Sequence, residues 1–135
     1  MNEMTVEAKK ENLNQILDFV HQSLDEAQCS PKGQMQLDLA LEELFVNIAQ
    51  YAYYPGTGSV TIRTEFRTQP AEITVTLMDK GIPYNPLAKD DPDITLSINE
   101  RPIGGLGIYM VKKIMDHVLY EYKDGQNILQ ITKKM

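Results

Sequence analysis

Val60-Thr61-Ile62-Arg63-Thr64-Glu65-Phe66 and, after a turn at Gln69-Pro70, Ile73-Thr74-Val75-Thr76-Leu77 alternate apolar and polar residues without a break. A period of two puts Val60, Ile62, Ile73, Val75 and Leu77 on one face and the threonines and charges on the other. These are two strands of a hairpin with one wet face. Upstream the period changes. Pro55-Gly56-Thr57-Gly58 ends a helix expected over Gln34 to Tyr53, whose buried stripe is Leu37, Leu41, Leu44 and Ile48. Ser30-Pro31-Lys32-Gly33 reads as the break before it. Leu13, Ile16, Leu17, Val20 and Leu24 mark an earlier helix with Asn12 as its cap, after a short strand from Thr5 to Ala8. Downstream, Pro83 to Ile103 has no sustained period and holds Pro86, Pro92, Pro102 and the acidic group Asp90, Asp91 and Asp93. A loop this long inside a compact domain reads either as a mobile functional element or as a segment whose elements are wrongly assigned. Gly104-Gly105-Leu106-Gly107 then opens a third helix with Ile108, Val111 and Met115 on one side. Val118 to Tyr122 and Ile128 to Thr132 form a second hairpin around Asp124-Gly125-Gln126-Asn127. Two hairpins and three helices in this order predict an α+β two-layer sandwich: a mixed, mostly antiparallel sheet with the three helices on one face.

Composition agrees with one such domain over residues 1–135. Hydrophobic residues make up 42% and charged residues 24%, a globular balance. Thirteen basic against nineteen acidic residues give a net charge of -6, which argues against unaided nucleic-acid binding. The opening M-N-E-M-T-V-E-A-K-K lacks the apolar core of a secretory signal, and no stretch reaches the roughly 20 apolar residues of a membrane span. One cysteine, Cys29, cannot pair internally, which fits a reducing compartment. A soluble, cytoplasmic domain is expected.

Three places carry candidate chemistry. Glu43 and Asn47 lie four apart on one helix face beside the apolar stripe. They read either as a proton-accepting carboxylate beside an amide oxygen able to ligate a hard cation, or as a solvated face shared with Asp38 and Glu42. Met78-Asp79-Lys80-Gly81 ends a strand. It is either turn chemistry or a rim carboxylate that accepts from an amine, with Gly81 admitting a ligand close to the backbone. Gly104, Gly105 and Gly107 around Leu106 are unfavourable in a helix by about 0.8–1.0 kcal/mol each in its interior. Bare amides at the positive helix end would suit an anion; a hinge or close packing against the sheet would also explain them. No Gly-Lys-Ser/Thr follows, so this is not a P-loop.

In this order, E-x-x-x-N on a helix, a strand ending D-x-G, a long loop and G-G-L-G on a helix resemble the GHKL superfamily of ATP-binding domains, the Bergerat fold. Within it the sequence is most similar to bacterial anti-sigma factors that are also serine-protein kinases, through L-D-L-A-L-E-E-L-F-V-N and G-G-L-G-I-Y-M-V-K-K-I-M-D. The resemblance spans nearly the whole chain. It implies Glu43 as general base, Asn47 as magnesium ligand, and Asp79 with Gly81 as readers of the adenine. It implies Gly104, Gly105, Leu106 and Gly107 beside the phosphates and Arg101 as a basic lid residue, the lid covering about 83–103. ATP and Mg2+ are the implied cofactors. The implied partners are a sulfate-transporter-and-anti-sigma-antagonist (STAS) domain bearing the target serine, a sigma factor, and a second copy in a homodimer. A non-catalytic ATP-sensing interaction module is the alternative.

The sequence departs from the family in places. Pro83 stands where D-x-G-x-G has its second glycine, as in a branch of these regulators with D-x-G-x-P. Proline stiffens that segment and removes an amide donor. Tyr51-Ala52 replaces a frequent His-Gly, and Asp124-Gly125-Gln126-Asn127 stands where many members have Gly-Thr. Of the remaining residues, Cys29 reads as structural, His21 and His117 lack metal spacing, and Tyr51, Tyr53 and Tyr54 read as packing or a partner surface.

Overall fold

The computed structural model describes residues 1–27, 29–68, 71–88 and 106–134. Five strands, β1 (Asn2–Glu7), β2 (Ser59–Arg67), β3 (Glu72–Asp79), β4 (His117–Lys123) and β5 (Gln126–Lys134), form one sheet in the order β1-β2-β3-β5-β4. Every pairing is antiparallel, so the mixed sheet allowed by the sequence resolves to a fully antiparallel one. Helices α1 (Leu13–Ala27), α2 (Pro31–Asn47) and α3 (Leu106–Ile114) supply the other layer.

The period-two faces sort as the sequence predicts. Val60, Ile62, Ile73, Val75, Leu77, Leu129 and Ile131 are buried against Ile16, Val20 and Leu24 of α1 and Leu37, Leu41, Leu44 and Phe45 of α2. Each such side chain contributes about 1.5–3 kcal/mol by leaving water. The opposite face carries cross-strand polar pairs, Thr5 with Thr61 at 2.9 Å and Thr74 with Thr132 at 3.2 Å. On the inner face Ser23 of α1 and Thr64 of β2 bury their hydroxyls against one another at 2.9 Å, so neither is orphaned.

Several boundaries differ from expectation. β1 begins at Asn2, because its ladder to β2 extends to Thr64 although only Val6 of the strand is buried. An edge strand with one paired side need not alternate strongly. Ser30-Pro31-Lys32-Gly33 starts α2 instead of preceding it. The Ser30 side chain accepts from the Gly33 amide (3.1 Å) and Pro31 occupies the first turn, where its missing N–H is no loss. Asn12 sits in a short 3₁₀ turn (Lys10–Asn12) and donates to the Glu7 carbonyl, tying β1 to the entrance of α1. Past Asn47, α2 widens into a π-helical turn, Ile48–Ala52. Such widening recurs at functional sites because it re-aims backbone groups.

Candidate functional site

The sheet register sets one end of the site. Val60 pairs with Asp79 and Asp79 with Asn127, so the last inward position of β3 faces the first inward position of β5. Asp79 is buried, at 5% exposure. Its Oδ1 accepts from the Gly81 amide (2.9 Å) and from Asn127 Nδ2 (2.9 Å). Oδ2 has no partner among the described residues, and Asp79 lines a hollow with Asn47, Ile48, Tyr51, Ala52, Ile82 and others.

The segment after Asp79 is held by its amides. Lys80 N donates to the Tyr53 hydroxyl (2.7 Å), which in turn donates to the Ser59 carbonyl (2.5 Å). Ile82 N donates to the Ala52 carbonyl (2.9 Å), a group that the π-helical turn aims at this strand end. Tyr84 N donates to Asn127 Oδ1 (3.1 Å). Pro83 has no amide to satisfy, so its departure from the glycine pattern leaves no donor unpaired. Gly81 is required for space: a Cβ there would lie 2.2 Å from the Ala52 carbonyl oxygen. Burial pushes the phenols of Tyr53 and Tyr120 up, partly opposed by backbone hydrogen bonds at Lys80 and Tyr84 respectively.

The other end is built by α2 and α3. Asn47 Nδ2 makes a long contact to Glu43 Oε1 (3.4 Å) across one helical turn, which leaves the Asn47 Oδ1 for the hollow that it lines. Gly107, second residue of α3, lies directly on Glu43. A Cβ at 107 would stand 2.1 Å from the Glu43 Cδ and 2.3–2.4 Å from its oxygens. The close packing expected of this glycine is therefore helix against helix, where the sequence suggested helix against sheet. Leu106 is the first residue of α3. Arg101, Gly104 and Gly105, with the rest of the expected lid beyond residue 88, lie outside the described residues.

Asn47 and Asp79 thus line one hollow, Glu43 and Gly107 line a second, and Gly81 packs on Ala52, the five residues being spread over nearly half the chain. Among the described residues no group of three or more His, Cys, Asp or Glu could hold a metal unaided. The donor set suits a cation shared with a ligand's own oxygens, since magnesium keeps most of its shell as water and phosphate. Sequence reasoning missed Asn127, Tyr53, Ala52 and Tyr120. Asn127 was counted with the Asp124-Gly125 turn, whose residues have positive φ (54° and 77°). It shares parity with Leu129 and Ile131, and a polar residue at an inward position was the available signal. His21 Nε2 donates to Asp38 Oδ1 (2.7 Å) between α1 and α2, a structural role. Burial raises the Cys29 thiol, opposed by Lys133, consistent with an unreactive group.

Residues 6–133 match the histidine kinase-like ATPase domain. The chain belongs to that family. As a histidine kinase-like ATPase domain it is 27% identical over 103 residues to the serine/threonine-protein kinase BtrW of Bordetella bronchiseptica, covering 76% of this chain and 72% of that one. It is 28% identical over 97 residues to the serine-protein kinase RsbW of Bacillus mycoides, covering 69% of this chain and 59% of the relative. The RsbW protein of Bacillus cereus (strain ATCC 10987 / NRS 248) gives the same identity and coverage. The matched stretch therefore spans less than two thirds of these RsbW relatives. Among the described residues of this histidine kinase-like domain, no helix is long and apolar enough to cross a membrane.

Proposed function

We propose that this domain binds Mg-ATP and transfers its terminal phosphoryl group to a serine of a protein partner, a STAS-type anti-sigma antagonist, and so acts as an anti-sigma regulator. The observation that carries the reading is the hollow lined by both Asp79 and Asn47, with Glu43, one helical turn from Asn47, lining a second hollow with Gly107. Asp79 lines the hollow with one carboxyl oxygen outside its hydrogen bonds to Gly81 and Asn127, an acceptor suited to an exocyclic amine. Gly81 lets the segment after Asp79 pack against the Ala52 backbone, where a side chain is excluded. Asn47 would offer its amide oxygen to the cation, and Arg101 with Gly104 and Gly105 would meet the phosphates.

Glu43 is the proposed base. Its carboxylate would take the proton of the partner's serine hydroxyl as that oxygen forms its bond to the γ-phosphorus and the bond to the β-phosphate oxygen breaks, releasing ADP. Mg-ATP supplies the phosphoryl group and the charge neutralisation. The protein's share is alignment, which can supply about 7–11 kcal/mol of barrier lowering in well-oriented reactions. A cytoplasmic homodimer fits this role.

The test is transfer of radiolabel from ATP to an antagonist domain, with ATP affinity measured alongside, with and without magnesium. Magnesium-dependent binding with transfer abolished in Glu43→Ala supports the kinase. Binding without transfer to any antagonist domain supports the second reading, an ATP-sensing interaction module, which Pro83 favours by removing one amide from the glycine box. Absence of binding overturns both.

A further inference from the structure

We infer that Asn127 is the positioning residue of the base pocket: a saturated amide that fixes Gly81–Tyr84 as a strap and holds Asp79 in the orientation that reads the ligand. The inference rests on the nucleotide-binding reading and deepens it. A primary amide has two donors and two acceptor sites, and at Asn127 all four are used. Nδ2 donates to Asp79 Oδ1 (2.9 Å) and to the Ile82 carbonyl (2.8 Å), with the Gly81 carbonyl at 3.5 Å. Oδ1 accepts from the Tyr84 amide (3.1 Å) and from the Tyr120 hydroxyl in a short hydrogen bond. The residue is 6% exposed.

Saturation decides the role. Asn127 lines the hollow yet keeps no donor or acceptor for a ligand, so it acts through Asp79 and the strap. The register reinforces this, because Asp79 and Asn127 are direct cross-strand partners and the carboxylate cannot turn without breaking the amide contact. A threonine hydroxyl, with one donor, could not bond Asp79 and the Ile82 carbonyl together. Pro83 and Asn127 therefore belong together. Proline brings no amide, the strap's other three amides are paired, and the asparagine bonds groups on both sides of the proline.

The test compares wild type with Asn127→Ala and Asn127→Asp, by calorimetric titration with ATP, ADP and adenosine and by amide hydrogen exchange in the ligand-free proteins. Thermal melts verify that each variant is folded. Loss of a buried paired donor predicts about tenfold or weaker binding in Asn127→Ala, by the same factor for all three ligands because the defect is at the base end. Tyr84 amide protection in the ligand-free protein falls with it. Asn127→Asp keeps the shape but sets a carboxylate against Asp79, so it binds more weakly than Asn127→Ala; a space-filling role predicts the reverse order. Wild-type binding with an unchanged Asn127→Ala affinity, or a loss confined to ATP, overturns the positioning role alone. Failure of wild type to bind any of the three overturns the nucleotide reading and this role with it.

Discussion

Gly107→Ala separates stability from chemistry more sharply than any other single change. The added methyl would sit 2.1 Å from the Glu43 Cδ, whereas ordinary contact begins at 3.4 Å. The carboxylate must retreat by about 1.3 Å, and it can, because the obstacle is the far end of a flexible side chain. The fold therefore yields cheaply: replacing glycine by alanine in a helix favours it by up to about 1 kcal/mol, which offsets the rotamer change. If Glu43 is the base, as proposed, its displacement is another matter, since a misplacement of about 1 Å can lower a rate about 10²-fold. The expected outcome is a melting temperature within a few degrees of wild type, ATP affinity within about threefold, and phosphoryl transfer down by about 10²-fold. Thermal melts, calorimetry and radiolabel transfer on the same preparation measure all three. Transfer at the wild-type rate in a normally stable variant would refute the argument that Glu43 must stand where Gly107 lets it. Gross destabilisation would refute the argument that its side chain can yield.

Gly81→Ala should behave oppositely, because its methyl meets the Ala52 carbonyl oxygen at 2.2 Å and threatens the hydrogen bond which that oxygen accepts from the Ile82 amide. Urea unfolding should show a loss of about 2–4 kcal/mol, with weakened ATP binding. Ser30→Ala removes the cap on the Gly33 amide and should cost about 0.5–2 kcal/mol by the same assay, leaving ATP affinity unchanged. Tyr53 has its phenol raised above the ordinary 10.0, chiefly by burial. The fold thus holds the proton more tightly than the unfolded chain. That stabilisation is complete below pH 10.0 and is lost as pH rises towards the folded value. Tyr53→Phe should lower stability at neutral pH, by unpairing the Lys80 amide and Ser59 carbonyl, and flatten part of the alkaline decline in a series of urea melts.

Local periodicity determined which segments are helices and strands and which faces they bury, since that signal depends only on neighbours two to four residues apart. Val60 to Leu77 reads correctly as a hairpin for this reason, and so do the stripes of α1 and α2. The ordered boxes around Glu43, Asn47, Asp79 and Gly107 were legible for a different reason, their likeness to a known pattern. Where one residue type serves two purposes the reading failed: Ser30-Pro31 caps a helix with the same chemistry that ends one. Tertiary structure alone decided the rest. Asn127 meets Asp79 across 48 residues of chain through strand register. Tyr53 clamps Lys80 because a widened turn brings it there, and Gly107 touches Glu43 because α3 packs on α2. No pattern of nearest neighbours encodes such contacts, because each depends on how elements dock, and docking is settled by the whole core at once.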